Sequence, residues 1–318
     1  MSQTTKIRWV IAHEPLNLFV RAAEDFQRKV NQEQKECKIE VEIMTLTEYS
    51  QRYNNGVQIT KHDLLDLMQE GKIEMSQMYT TWLAEKYDND FLAFDMPYIF
   101  KDHDHATRVL EGEVGESLLN KLTEKSNVRG LSYTYSGGFR QMISNKEVST
   151  LEQLAGTTQR SNRNPIAQAT LKALDINPHV AEIEDLKDEV LAGRCEGGET
   201  NYPRMYPLNQ NEVTKSVIDT EHSLFLTSMI IADSFWNGLS DDVKSVIKHA
   251  AIEAGREERA ETIRDGERAK LRLVAEGATI NPLSAEEKQI AKQKTSVVYA
   301  QFENFFTPGL VDKIRLAA

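Results

Sequence analysis

The sequence predicts an α/β protein of two domains, each a mostly parallel sheet flanked by helices, with a long helix reaching across both. Three observations carry this. At 318 residues the chain exceeds what one hydrophobic core usually serves, so two domains of ordinary size are expected. Short β-prone runs alternate with amphipathic helical stretches, the pattern of βαβ units. From Ser240 a helical pattern persists to about Gly277. At 1.5 Å per residue, about 36 residues would span roughly 50 Å, longer than one small domain.

Taken in order, Lys6 to Ala12 is a continuous β-prone run, as in a parallel strand covered on both faces. Leu16, Phe19, Val20, Ala23, Phe26 and Val30 recur at helical spacing. Ile39 to Met44 alternates as a strand. Asp63 is placed to cap a helix that carries Leu64, Leu65, Leu67 and Met68 and stops at Gly71. Ile73 to Met78 is the next strand, residues 104–124 a helix, and Val128 to Tyr135 a strand. Pro165 stands near a helix start, where its missing N–H costs nothing. A helix around 184–192 and a strand from Arg194 to Gly197 follow. Two further strands, Lys215 to Thr220 and His222 to Ala232, are expected to return to the first sheet. Ser240, with Asp241 and Asp242 in the first turn, opens the long helix, which Gly255 and Gly266 interrupt. Ser284 with Glu287 opens a final helix with a capping box.

Composition narrows the function. The hydrophobic fraction of 40% and charged fraction of 27% are those of a globular protein in water. The net charge of −11 argues against a nucleic-acid partner, which needs a basic surface. It leaves an anionic ligand open, because a pocket can be locally positive. No apolar run approaches the ~20 residues that cross a bilayer, and MSQTTKIRWV at the start has no apolar signal core. Cys37 and Cys195 fall in segments expected to lie apart, so free thiols are expected rather than a disulfide. There is no GxGxxG, Walker loop, HExxH or CxxC, and no cofactor or metal is expected. The string Asp102-His103-Asp104-His105 looks most like a metal site but reads as an exposed polar cluster opening a helix.

The most informative stretch is GGFRQMISNKEVSTLEQLAGTTQR, Gly137 to Arg160. Phe139 to Asn145 is extended, Thr150 and Gln153 form a T-x-x-Q capping pattern, and Gly156 ends the turn. The chain then extends again into Thr157-Thr158-Gln159-Arg160. This folding brings Arg140 and Arg160 toward one cleft. A guanidinium offers a rigid fork of donors matching a carboxylate, which lysine cannot do.

In these residues the chain resembles the periplasmic substrate-binding proteins of tripartite ATP-independent periplasmic (TRAP) transporters, the DctP type. Arg140 matches the family's first arginine, in its G-x-R-Q-like segment. Arg160 matches its most characteristic ligand residue, which binds the solute's carboxylate. Glu196-Gly197-Gly198-Glu199-Thr200 stands where the family usually has DGqEN, so Glu196 replaces Asp and Thr200 replaces Asn. The resemblance extends over nearly the whole chain. It implies a two-domain periplasmic-binding-protein-like fold, with domains at 1–137 plus 221–252 and 138–220 plus 253–318 and the ligand cleft between them. It further implies a monomer in the periplasm, exported by a leader absent from this sequence, that closes on a small organic acid or zwitterionic carboxylate and delivers it to the membrane subunits of a TRAP transporter.

Further candidates follow strands. His13 and Glu14 come after the first strand, and some relatives that take zwitterionic compatible solutes have a similar A-H-E there. Tyr79 falls where relatives place a ligand contact, with Trp82 beside it. Thr200 and Asn201 follow the Cys195 strand. Phe225 lies near the ligand in relatives, although by itself it reads as core. The alternative is an enzyme acting on a small carboxylate, the arginines as anchors and His13 and Glu14 as acid and base. Against it stands the lack of a nucleophile, metal or cofactor set. A receptor sensing domain is a third reading, without a membrane segment to carry its signal.

Overall fold

The computed structural model describes residues 4–14, 16–34 and 38–317; Cys37 lies outside them. The elements begin β1 (Thr5–Val10), α1 (Asn17–Glu33), β2 (Ile39–Met44), α2 (Leu46–Tyr53), α3 (Leu64–Gln69), β3 (Met75–Tyr79) and α4 (Thr80–Lys86). Then come α5 (His103–Glu111), α6 (Glu113–Lys125), β4 (Val128–Phe139), β5 (Gln141–Ser144), β6 (Thr158–Ser161), α7 (Pro165–Ala173) and β7 (Asn177–Val180). The chain continues through α8 (Leu186–Leu191), β8 (Gly197–Thr200), α9 (Tyr202–Met205), β9 (Ser216–Asp219), β10 (Leu224–Ala232) and α10 (Asp233–Asn237). It ends with α11 (Asp241–Ala275), β11 (Thr279–Pro282), α12 (Ala285–Gln301) and α13 (Leu310–Leu316).

Two compact units result. The first holds residues up to Phe91, Thr107–Ser136 and Leu226–Glu261; the second holds Leu92–Ala106, Gly137–Phe225 and Thr262 onward. Helix α11 therefore contributes to both.

The first unit has a five-stranded sheet in the order β2-β1-β3-β10-β4. Strand β1 runs parallel to β2 and β3, and β10 is antiparallel to β3. Helix α1 forms because Leu18, Phe19, Ala22, Ala23, Phe26 and Val30 make one apolar face, all buried. Phe26 meets Trp9 of β1 with ring centroids 5.2 Å apart. Strand β4 is the sheet's outer strand, and its unpaired backbone groups need covering. Helix α11 supplies the partners: Lys248 Nζ donates to the Leu131 carbonyl, Arg259 Nη1 to that of Tyr133, each at 2.7 Å, and the Glu258 carboxylate accepts from Tyr135 N. Gly255 is what lets the helix lie so close. A Cβ there would stand 2.9 Å from the Tyr133 carbonyl oxygen. It is thus a contact point within a continuous helix, not an interruption.

The second unit has a six-stranded sheet, β11-β9-β5-β8-β6-β7. It too is mixed: β9/β11, β6/β7 and β6/β8 are parallel, while β5 runs antiparallel to β8 and β9. Strand β9 was expected in the first sheet but pairs here. The chain leaves it through Thr220 and Glu221, whose φ of 48° turns the backbone before β10 joins the other sheet. One core cluster gathers Ile143, Leu186, Val190, Tyr202, Val217 and Leu273; another gathers Met142, Leu154, Leu171, Ile218 and Ala291. Cys195 is a free thiol buried in the first of these.

Several predicted caps are present. Ser284 and Glu287 form both halves of a capping box, and Pro165 occupies the first turn of α7 behind an Asn164 cap. Gly156 has φ 75°, and Gln153 accepts from Thr150 N, although the segment makes only a short 3-10 turn. The expected helix at 104–124 is two, broken at Gly112. The Asp102–His105 string does open α5, since Asp102 accepts from His105 N at 2.7 Å. It is not all exposed: His105 is fully buried, its Nε2 2.9 Å from the Ile314 carbonyl.

Candidate functional site

In the second unit Arg140 leads into β5 and Arg160 lies in β6, the two strands that flank β8 in one sheet. Arg140 fills the break between β4 and β5, reached through Gly137 and Gly138, both at positive φ. Its N–H bonds to the Ser223 carbonyl at 2.8 Å. Arg160 lies within β6, in register with Gly198 of β8. Gly198 is needed there: an added Cβ would stand 2.7 Å from the Arg160 Cβ and 2.8 Å from its carbonyl oxygen. Each arginine is only 3% exposed.

Glu199 joins them. One carboxylate oxygen is 3.1 Å from Arg140 Nη1, and the other is 3.5 Å from His222 Nε2. Burial works to raise this carboxyl, but Arg140, His222 and Arg160 hold it well below the usual carboxylate range. Arg160 donates through Nε to the Ala181 carbonyl at 2.8 Å. Burial, with Arg140 and Arg204 as like-charged neighbours and Glu199 opposing them, lowers its guanidinium to about 10. Arg140 Nε and Nη2 are buried and have no hydrogen-bond partner among the described residues. Such donors are costly unless something accepts from them. The cluster therefore has unused donors to offer to a negatively charged group.

Phe225 stands between two guanidinium groups, 4.0 Å from Arg140 Cζ and 4.6 Å from Arg204 Cζ to its ring centroid. The expectation that it is simply core is corrected: its ring face is a cation–π surface. Asp95 is also buried beside this cluster. Desolvation, aided by Glu199 and opposed by Arg140, pushes its carboxyl up to about 7.

Thr200 and Asn201 are buried at the end of β8. The Thr200 hydroxyl donates to Gln210 Oε1 at 2.7 Å, and Asn201 packs on Gly137, where an added Cβ would fall 1.8 Å from Asn201 Oδ1.

In the first unit, His13, Tyr79 and Trp82 form an aromatic group. His13 Nδ1 is 2.6 Å from the Tyr79 hydroxyl, and Tyr79 meets Trp82 at 5.5 Å. His62 stacks on Trp82 at 4.7 Å. Glu14 does not join this group by any hydrogen bond to it; its exposed carboxylate accepts from Leu46 N at 2.9 Å, at the start of α2.

Sequence reasoning did not single out Glu199, Arg204, Asp95, His222 or His62 as site residues. Glu199 had a signal, lying two residues before Asn201 in the segment already set against the family pattern. Arg204 and Asp95 had none, since only the fold brings them to the arginine cluster, and His62 had none, since only the fold stacks it on Trp82.

The family model described as bacterial extracellular solute-binding protein, family 7 (DctP), matches residues 11–304. The chain belongs to this family. Among DctP relatives, the C4-dicarboxylate-binding periplasmic protein of Rhodobacter capsulatus is 27% identical over 252 residues, 76% of this chain and 75% of that protein. A TRAP periplasmic solute-binding protein from Sulfurospirillum deleyianum, solved with bound succinate, superposes with a TM-score of 0.80 at 25% identity, covering 100% of both chains. A second, from Pseudomonas putida with bound D-glucuronate, gives 0.82 at 22% identity over 98% and 97%. The two-domain α/β architecture is thus that of the TRAP solute-binding proteins. No helix among the described residues is long and apolar enough to cross a membrane.

Proposed function

We propose that this protein is a periplasmic solute-binding protein that captures a small organic anion through its carboxylate and hands it to a TRAP membrane transporter. The observation that carries the reading is the buried guanidinium of Arg140, with Nε and Nη2 lacking acceptors beside a second buried arginine. Arg160 takes the carboxylate bidentately and Arg140 adds a charge-assisted contact. Phe225 covers the Arg140 guanidinium, and Tyr79, His13, Trp82, Thr200 and Asn201 select the rest of the solute. Succinate and D-glucuronate in related proteins support a carboxylate as the common element. Capture by hinge closure belongs to the same reading: the solute stabilises the closed form by differential affinity.

The arrangement favours binding over catalysis. An acid–base pair of His13 and Glu14 would need both groups turned to one substrate. Instead, His13 Nδ1 is held by Tyr79 and the Glu14 carboxylate by the first turn of α2.

A thermal-shift screen over sugar acids, dicarboxylates, keto acids and ectoine-like zwitterions tests this. A true solute at 100 times its dissociation constant stabilises the fold by ~2.7 kcal/mol. It should be recovered chemically unchanged after hours with the protein. A screen in which no carboxylate stabilises the fold, or product forming in proportion to protein, contradicts the reading.

A further inference from the structure

A concave site lies in the second unit, built from none of the residues above. Its cavity of about 340 Å³ is lined by Tyr98, Lys101, Lys292, Tyr299 and Arg315, with Ile99 in its wall. Three segments meet there: the stretch before α5, the middle of α12 and the end of α13. Its three cations converge on one concavity in a protein of net charge −11. None of the three has a carboxylate within ion-pair distance among the described residues.

The walls between these cations are aromatic. Lys292 Nζ lies 5.9 Å from the Tyr98 ring centroid, and Arg315 Cζ lies 4.9 Å from that of Tyr299. The Tyr299 hydroxyl donates to the Pro97 carbonyl at 2.8 Å, which fixes one wall. Tyr98 is held more unusually. It has φ 56°, a left-handed conformation that costs a non-glycine residue energy, and its N–H bonds to the His222 carbonyl at 2.8 Å. Its hydroxyl is buried without a hydrogen-bond partner among the described residues. Burial, with Glu221 adding to it, pushes this phenol up, so it remains a donor. Strained backbone, an unsatisfied donor and converging cations are found together where ligands bind.

We propose that this pocket binds a small organic anion, a carboxylate or phosphate carried on an apolar body. Lys101, Lys292 and Arg315 attract the anionic head, and Tyr98, Ile99 and Tyr299 contact the apolar part. Inorganic phosphate alone lacks the second half of these contacts and should bind more weakly.

Isothermal titration with phenyl phosphate, and with benzoate as the carboxylate counterpart, tests the proposal. The variant Lys292→Ala/Arg315→Ala removes two exposed cations, so folding, followed by circular dichroism, should not change. At least one probe should bind wild type and Arg160→Ala alike, and bind the double variant about tenfold more weakly or worse. Which probe binds tells phosphate from carboxylate. The proposal is overturned if neither probe binds wild type. It is equally overturned if binding is abolished by Arg160→Ala and untouched by the double variant, since the probe then occupies the solute site.

Discussion

Arg140 and Glu199 form a buried ion pair, with Nη1 3.1 Å from Oε1, that uses one end of the guanidinium and leaves the other without an acceptor among the described residues. The pair is not self-sufficient. Glu199 also answers to His222 at 3.5 Å, and Arg160 lies close enough to help hold its carboxyl ionised. Positive charge thus exceeds what Glu199 neutralises, an imbalance that an anionic solute bound as proposed would remove.

Asp95 makes that balance depend on pH. Its folded carboxyl, at about 7, lies well above the ordinary value of about 3.9. Between those values the folded state holds a proton that the unfolded state has released, so this group makes stability fall as pH rises through that window and level off above it. Asp95→Asn should therefore gain on the order of 1–4 kcal/mol over wild type at pH 8 and little at pH 4. Urea unfolding at the two pH values measures this; equal differences at both would refute it. If Arg140 holds the solute as proposed, deprotonated Asp95 competes for it, so affinity should weaken from pH 6 to pH 8 in wild type, with the slope flattened in Asp95→Asn.

Gly198→Ala should disturb the site without touching a charged group. The new methyl would press on Arg160 at 2.7 Å, forcing β6 and β8 apart. Overpacking of this kind costs roughly 1–3 kcal/mol of stability. Solute affinity should fall as well, because Arg160 moves with its strand. A variant as stable and as tight-binding as wild type would show that the strands adjust freely.

Phe225→Leu separates ring chemistry from apolar bulk. Loss of the cation–π face should weaken solute binding by about 2- to 30-fold, the equivalent of ~0.5–2 kcal/mol. The melting temperature should change little, since leucine retains much of the volume. Calorimetric titration beside a thermal melt distinguishes this from a purely structural role, in which the melt would shift and the affinity would not.

Much of this was readable from local chemistry. The alternation of strands and helices, the helix starts at Pro165 and Ser284, the turn at Gly156 and the two arginines were all signalled within a few residues of themselves. What escaped reading depends on partners far along the chain. Gly255 looked like a helix breaker because its reason for being small, the Tyr133 carbonyl, belongs to a strand more than a hundred residues earlier. Phe225 looked like core because neither Arg140 nor Arg204 is adjacent to it in sequence. His105 looked exposed because its partner is the Ile314 carbonyl. Strand β9 was misplaced because two strands so close together read as one return, whereas the turn at Glu221 sends them to different sheets.

Bidentate capture of the carboxylate by Arg160 is the central claim, and isothermal titration of Arg160 variants with the solute found by screening tests it most directly. Arg160→Ala removes a buried partner of the carboxylate and should cost roughly 2–5 kcal/mol of binding, about 30-fold to several-thousand-fold in affinity. Arg160→Lys should also bind poorly, because a point charge cannot reproduce the planar fork. Arg140→Ala should lose less, its guanidinium being shared with Glu199. Circular dichroism should show all three folded. If Arg160→Ala folds normally and binds the solute within about threefold of wild type, the carboxylate is not held by Arg160 and the account of the site is wrong.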